Sequence, residues 1–506
     1  MALRYGNRIT DDAIVFHVDF ANRRSFAPNI LNYSSWTVGT GTVNNDTTKY
    51  GVTNFVAAGQ AGENVRVTGT DPFGYTSSVV WKASTVDSSF LGPTDNDGGW
   101  NSGNFAIDNS KMYRFAVWTK RDTMTVGPTS SGQLYFGHQA RTAAGGLTFS
   151  KTLNNGTLQG NPYHHVTPNP NTSALSTVQP PFLGGIDVWT LVVGHVWPAG
   201  TSVQPIVPGS SVNGLAANGS HPDSGVWTRA AKKVGNPYQA SGDNYLDFMW
   251  YEPAVLAYHR VYHFYSADLT ATQSFIYPRV DIVDGLEPSI DNLLSGPEPV
   301  RDISVKQNVI YPFSTTNFDK NGRGLVFSGV ESEIVAGTLS STFSVLSMSA
   351  WFRPSAQITS ATTGQTLVQF GSPAIAQPFA IFLGAATTDV SGEVISIWGS
   401  GKFTSVVSPL VLQATWQNLT IVWQGSSYNV YLNGVLQSTV AGSTGHATPN
   451  YSVNYASLGG RKYATLGVEW GAFFQGMIGS VVVYERALTP AEISDDFSSM
   501  RQKYGV

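Results

Sequence analysis

Trp416-Gln-Asn-Leu-Thr-Ile-Val-Trp423 places apolar residues at Leu419, Ile421 and Trp423, two apart. That is the period of a strand burying one face. After a polar loop, Tyr428-Asn-Val-Tyr-Leu-Asn-Gly-Val-Leu-Gln-Ser438 alternates again and carries Asn433-Gly434. Asn-Gly tolerates the positive φ of a tight hairpin turn, so the pair sets the register of its two arms. Further on, Phe474-Gln-Gly-Met-Ile-Gly-Ser-Val-Val-Val-Tyr484 is rich in β-branched residues and predicts another strand. A helix follows it. Thr489 is its cap, Pro490 suits its first position, Glu492 reaches back to the cap, and Leu488 staples onto Ile493. Ile493, Phe497 and Met500 then recur at helical spacing and offer one face to the sheet.

Upstream lie Gly324-Leu-Val-Phe-Ser-Gly329 and the strand Ser347-Met-Ser-Ala-Trp-Phe-Arg-Pro354; Tyr431-Leu-Asn-Gly-Val435 and Leu458-Gly-Gly460 complete the pattern. With the Trp416 strand and the run from Phe474 to Ile493, this order resembles the laminin-G-like, concanavalin A-like jelly-roll family. The resemblance implies a two-sheet sandwich that binds or displays something and seldom catalyses. Phe379-Ala-Ile-Phe-Leu383 and Val394-Ile-Ser-Ile-Trp398 add two more predicted strands.

A length of 506 residues suits two to four domains. Aromatic residues match charged ones at 12% each and glycine numbers 52, a balance of strands and tight turns rather than helical bundles. The formal net charge of −4 disfavours nucleic acid and anionic membranes as partners. The absence of cysteine excludes disulfides, thiolate nucleophiles and sulfur-ligated zinc. Met1 to Arg8 lacks the apolar core of a signal peptide, and no apolar run approaches about 18 residues. The expectation is therefore a protein made in a host cytoplasm and carried out on a particle.

In the first half, Ala13 to Phe20 reads as an opening strand. Lys111 to Arg121, Gln133-Leu-Tyr-Phe-Gly137 and Asp187 to Trp197 read as three more. They parallel Met348 to Pro354, Thr366 to Gly371 and Trp416 to Trp423, which suggests two related sandwiches. Asn101-Ser-Gly103, Tyr113-Arg-Phe-Ala-Val-Trp118, Asn161-Pro-Tyr163, Trp189-Thr-Leu-Val-Val-Gly194, His259-Arg-Val-Tyr-His-Phe-Tyr265 and Pro278-Arg-Val-Asp281 give this half a resemblance to bacteriophage virion structural proteins of the fibre type. Ser295-Gly-Pro-Glu-Pro299 reads as a proline-stiffened linker.

Signals for chemistry are sparse. A glycosidase needs two carboxylates flanking the bond. The nearest sets are Glu331 with Glu333, and Asp281, Asp284 and Glu287, which read as solvated or salt-bridged. His259 and His263, four apart, share one side of a strand and read as hydrogen-bonded structural histidines. His164-His165 sits in a Pro- and Asn-rich loop. Asp95-Asn-Asp-Gly-Gly99 lacks the alternating oxygens and distal Glu of a calcium loop and reads as a turn. No nucleophile elbow or phosphate-cradling loop is present. Asp389 and Glu393 form no recognisable ligand set, so the calcium site of some family members is not carried over. Trp398, Tyr451, Tyr455, Tyr463 and Trp470 lie in or beside Gly-, Ser- and Asn-rich connections and are the candidate carbohydrate-binding residues. Equally, such rings plug a rim or pack on a neighbouring subunit.

The expected architecture is all-β: two antiparallel β-sandwich (jelly-roll) domains in tandem, 1–294 and 304–506, with a linker at 295–303 and a short C-terminal helix. The expected role is that of a bacteriophage virion surface structural protein, a fibre, tail or head-attached component with a lectin-like C-terminal domain for host glycans. It is not expected to be an enzyme, and no metal or cofactor is called for. Expected partners are other virion proteins, a host surface glycan and further copies of itself, a trimer by analogy with symmetric appendages, without nucleic acid or membrane insertion. The alternatives are an architectural decoration or connector protein without ligand, and a polysaccharide-degrading tailspike.

Overall fold

The computed structural model describes residues 14–506 apart from 61, 86–97, 124–130, 154, 167–186, 203–210, 213–214, 217–220, 231, 236–246, 267–268, 305, 313–316, 320, 331–334, 340–344, 360–363, 372–378, 385–392, 400–401, 408–411, 425–426, 442–454 and 463–469. The chain divides into two compact units, Pro28–Ser295 and a second that joins Met1–Ala27 to Gly296–Val506. The expected boundaries are corrected at two places. Ile14–Asp19, expected to open the N-terminal domain, pairs antiparallel with Gln475–Tyr484, Val18 opposite Val481. Within the expected linker, Val300–Arg301 forms a strand against Val309–Pro312, and Val300 is buried.

The physical reason for the first correction is an open strand edge. One side of Gln475–Tyr484 is taken by Ser347–Pro354 along its length. On its other side, Leu325–Ser328 covers only the stretch from Gln475 to Ile478. Ile14–Asp19 fills the remainder, satisfying backbone groups that would otherwise be a bare edge. Val15, Phe16, Val18 and Phe20 are all buried, and Phe16 meets Phe370 edge-on at 5.2 Å.

In this unit one sheet runs Asn317–Phe318, Leu325–Ser328, Gln475–Tyr484, Ser347–Pro354, Gln417–Gln424, Ser427–Leu432, Val435–Ala441, with Ile14–Asp19 beside Gln475–Tyr484. The other runs Val300–Arg301, Val309–Pro312, Val335–Thr338, Tyr455–Leu458, Gln365–Phe370, Phe379–Leu383, Glu393–Gly399, Lys402–Val407. Leu419, Ile421 and Trp423 are buried as their spacing predicts, yet so are Asn418, Thr420 and Val422. The closing helix, Pro490–Tyr504, covers that second face.

Its start follows the sequence signals. Thr489 accepts from the Glu492 amide while Glu492 answers the Thr489 amide, with Pro at the first turn and Gly505 in the left-handed conformation at the other end. The Arg486 guanidinium holds Glu492 down to about 2. Leu488 and Ile493 pack with Val422, Tyr431 and Tyr484. Trp351 stacks on Phe497 (5.6 Å between centroids, 9° between planes) and on Tyr504 (4.4 Å, 15°). Gly479 leaves room for the Tyr504 ring, which a Cβ there would meet at 2.5 Å. Lys503 reaches Asp19 at 2.5 Å and ties the helix to the N-terminal strand.

The Pro28–Ser295 unit also packs two sheets. The larger runs Leu158–Gln159, Ser150–Thr152, Phe248–Trp250, Thr190–Trp197, Met112–Thr123, Thr272–Val283, Ser78–Ala83, Asn64–Gly69, Gly39–Thr40. The smaller runs Tyr163–Val166, Ser131–Arg141, Leu256–Ser266, Gly99–Ser102, Phe55–Ala58. Among the described strands of these two sheets, pairing is antiparallel except between Thr190–Trp197 and Phe248–Trp250, which run parallel. Trp81, Trp100, Trp118 and Trp250 anchor its core. The sequence parallel between the halves has a structural counterpart. Met112–Thr123 lies between Thr190–Trp197 and Thr272–Val283 as Ser347–Pro354 lies between Gln417–Gln424 and Gln475–Tyr484. In each unit the last of these strands leads to a helix, Ile290–Ser295 or Pro490–Tyr504.

Candidate functional site

The helix seals the outer face of one sheet, and the candidate aromatic residues belong to the other sheet and to the rim. Strand register sets one row across that second sheet: Tyr311, Ala336, Ser457, Gln369, Ala380, Trp398 and Phe403 stand opposite one another in turn. The adjacent phase, with Phe370, Ala456 and Phe379, turns inward to the core. In the Tyr311 to Phe403 row, Ser457, Gln369 and Ala380 are themselves fully buried, so the middle of this sheet is covered on both faces. Tyr455, two residues before Ser457, shares their phase. It is half-buried and packs with Phe473 around Ala336.

The five candidate residues are therefore not one constellation. Tyr455 and the strand position of Trp398 lie in one sheet, three strands or about 14 Å apart. Trp470 stands opposite Lys462 in a separate two-stranded ribbon. Tyr451 and Tyr463 lie outside the described residues. Phe473 is the residue that sequence reading missed. The Phe473-Phe474 pair sends one ring fully into the core and leaves the other half-buried beside Tyr455. Alternation with the buried Phe474 could have marked it.

The titratable groups occupy other places. Asp281 is buried between Arg114 (2.6 Å) and Arg279 (2.8 Å), whose charges hold it below the usual carboxylate range despite the cost of burial. Glu287 caps an exposed turn by accepting from the amides of Asp284 and Gly285. Glu331, Glu333, Asp389 and Asp95 lie outside the described residues. His259 and His263 both point inward: His259 Nε2 meets the Ala116 carbonyl at 3.3 Å and His263 Nε2 meets Arg121 Nη1 at 3.0 Å. His164 is buried against His138, ring nitrogens 3.1 Å apart. Ser224 bonds both His195 Nδ1 (2.7 Å) and Asp247 (2.5 Å), an arrangement that resembles a nucleophile with its base. It cannot act as one. Ser224 gives its proton to Asp247, which also accepts from Trp197 and from the amides of His195 and His221, and all three members are fully buried. Among the described residues, no three His, Asp or Glu side chains are grouped to hold a metal.

Asp496, beneath the closing helix, accepts from Ser349 at 3.4 Å, and burial pushes it up to about 6. Its folded value lies above the unfolded 3.8, so the native state binds the extra proton. Stability from this group is greatest below about pH 4 and is lost as pH rises through 6. Asp496→Asn is expected to remove that slope in urea titrations and, allowing for its partial exposure, to stabilise the unit at pH 7 by about 1–2 kcal/mol. An unchanged slope between pH 4 and 7 would count against the assignment.

The geometry defines a two-sheet antiparallel sandwich closed by a helix on one side. In keeping with it, residues 328–494, about a third of the chain, match the family described as the Concanavalin A-like lectin/glucanases superfamily, of laminin G type. Solved structures with partial likeness include the binding domain of botulinum neurotoxin DC in complex with SialylT (13% identity, 40% of this chain and 48% of that one, TM-score 0.31). Others are domain 4 of AbnA, a GH43 extracellular arabinanase from Geobacillus stearothermophilus, in complex with arabinotriose (19%, 39% and 80%, TM-score 0.23), and a heptameric SAP-like pentraxin from Limulus polyphemus (15%, 33% and 78%, TM-score 0.25). At these scores the likenesses carry no ligand across. The chain spans about half the length of the botulinum neurotoxin structures it matches. None of the curated proteins matches the sequence. No bacteriophage virion protein is among these likenesses. No helix among the described residues is long and apolar enough to cross a membrane.

Proposed function

We propose that the protein is a non-enzymatic surface component of a bacteriophage virion whose C-terminal sandwich binds host glycans. The observation that carries the glycan reading is the match of residues 328–494 to a lectin and glucanase superfamily. The half-buried rings of Tyr455 and Phe473, packed together around Ala336, support it as aromatic surface on the second sheet. Support for the virion setting is the sequence resemblance of the first half, together with a cysteine-free, weakly charged β protein. In that setting it assembles with other virion proteins, as a trimer or another cyclic oligomer.

Alanine at Trp398, Tyr455 or Trp470 is expected to weaken adsorption to host cells or purified surface polysaccharide by about 30-fold each, the usual effect of truncating an aromatic anchor. Unchanged adsorption in all three would leave a purely architectural role. Shortened polysaccharide chains after incubation would instead make it a depolymerase.

A further inference from the structure

Three motifs that the glycan reading leaves unused converge on one side chain of the Pro28–Ser295 unit. Leu256–Ser266 lies between Ser131–Arg141 and Gly99–Ser102. Its odd positions, Ala257, His259, Val261 and His263, are wholly buried in the core. The even positions face the other way. Register then aligns Tyr163, Gly137, Arg260 and Asn101 in one row across four strands.

Gly137 makes the row work. A Cβ there would come within 2.8 Å of Tyr163 Cα and 3.0 Å of its ring. With that space free, the Arg260 guanidinium crosses to the Tyr163 ring, 4.2 Å from its centroid, and Tyr135 braces Tyr163 edge-on at 4.8 Å. On the far side Tyr262 donates to Asn101.

Arg260 is only 5% exposed, and among the described residues its Nε has no hydrogen-bond partner and no carboxylate pairs with it. Its two η nitrogens share one acceptor, the amide oxygen of the exposed Asn161, 3.3 Å from each. That is longer than the roughly 2.7–2.9 Å of a charge-assisted bond. The contrast with Arg114 and Arg279 is direct, since both close on Asp281. A guanidinium taken out of water without an anion is costly, and cation–π contact repays only part of that cost. The neutral Asn161 oxygen stands where an anion's oxygen belongs.

We propose that Arg260 is the centre of an anion-binding subsite that takes the carboxylate of an acidic saccharide, with Asn161 as the displaceable stand-in. A carboxylate fits the planar guanidinium fork through two parallel bonds. The half-buried rings of Tyr135, Tyr163 and Tyr258 supply faces for a sugar ring, and the Asn101 amide supplies a neutral polar partner. This subsite lies outside residues 328–494 and stands independently of the C-terminal glycan reading.

The test is calorimetric titration of the full chain carrying Trp398→Ala, Tyr455→Ala and Trp470→Ala, so that the three C-terminal anchors proposed above contribute nothing. The probes are an oligomer of glucuronic acid, a neutral glucose oligomer of equal length, and acetate. The acidic oligomer is expected to bind at least about tenfold more tightly than the neutral one and than acetate, and Arg260→Gln to remove that advantage. Asn161→Ala, at an exposed position, is expected to tighten binding of the acidic oligomer severalfold by removing the competing oxygen. Equal binding of acidic and neutral oligomers overturns the proposal, and acetate binding as tightly as the acidic oligomer overturns its saccharide part. Should Arg260→Gln fail to fold, Asn161→Ala decides alone, and unchanged or weaker binding overturns it.

Discussion

A chain lacking residues 1–27 is expected to lose the folded state of its C-terminal unit, although the deletion lies far away in sequence. Removing Ile14–Asp19 uncovers the outer edge of Gln475–Tyr484 from Ser480 to Tyr484. It also withdraws Val15, Phe16, Val18 and Phe20 from the core. At about 1.5–3 kcal/mol for each buried side chain the loss is about 6–12 kcal/mol, comparable with the whole stability of a domain, about 5–15 kcal/mol. Further anchors go with it. The His17 amide donates to Asp302 (2.8 Å), Ser25 donates to the Arg301 carbonyl (2.6 Å), and Asp19 holds Lys503. Thermal unfolding of the shortened chain should show no cooperative transition for Gly296–Val506, and limited proteolysis should cut there first. A synthetic peptide covering residues 14–27 should restore protection in trans. A shortened chain that melts like the full one would refute this role for the N-terminal strand.

The second large effect is acid sensitivity of the Pro28–Ser295 unit. His138 and His259 are wholly buried and hydrogen-bond neutral groups, Ser150 Oγ and the His164 ring for the first, the Ala116 carbonyl for the second, while the Arg260 charge further opposes protonation of His138. Burial lowers His138 well below its ordinary value and takes His259 to about 3. Both folded values lie below the unfolded 6.5, so the unfolded chain binds the extra protons. Stability is therefore complete above about pH 6.5 and is lost as pH falls toward the folded values. His259 alone costs about 1.4 kcal/mol per pH unit below 6.5, or about 2 kcal/mol at pH 5, and His138 acts in the same direction. His195 is lowered by burial too, but Asp247, one serine away, is raised by burial and works in the opposite sense as it takes up a proton. Urea midpoints for this unit should fall steeply between pH 6.5 and 5, and His259→Phe should reduce the slope by about one proton. Flat midpoints across that range would show that these rings accept protons without unfolding.

What could be read from the residues in order was local. The alternation at Leu419, Ile421 and Trp423, the Asn433-Gly434 turn and the Thr489 to Glu492 cap each depend on neighbours within a few positions, and each stands in the structure as read. The all-β class follows from the same short-range periods. Chemistry was partly legible: alternation in the Tyr258 to Phe264 run placed His259 and His263 on one side of a strand, and their burial makes them structural.

Long-range decisions belonged to the tertiary structure. Ile14–Asp19 reads the same whether it opens one sandwich or completes the other, because a strand's own pattern says which face is buried and nothing about which edge it joins. The second face of Gln417–Gln424 is buried only because a helix some seventy residues later lies over it, so Asn418 and Thr420 look solvent-facing in sequence. Arg260 is an ordinary charged residue of an alternating strand until register sets Tyr163 beyond the gap at Gly137 and, among the described residues, pairs it with no carboxylate. Hydrophobic period and turn chemistry act over a few residues and are written in the sequence. Edge pairing and the isolation of a buried charge arise from which distant strands meet, and the folded packing alone settles them.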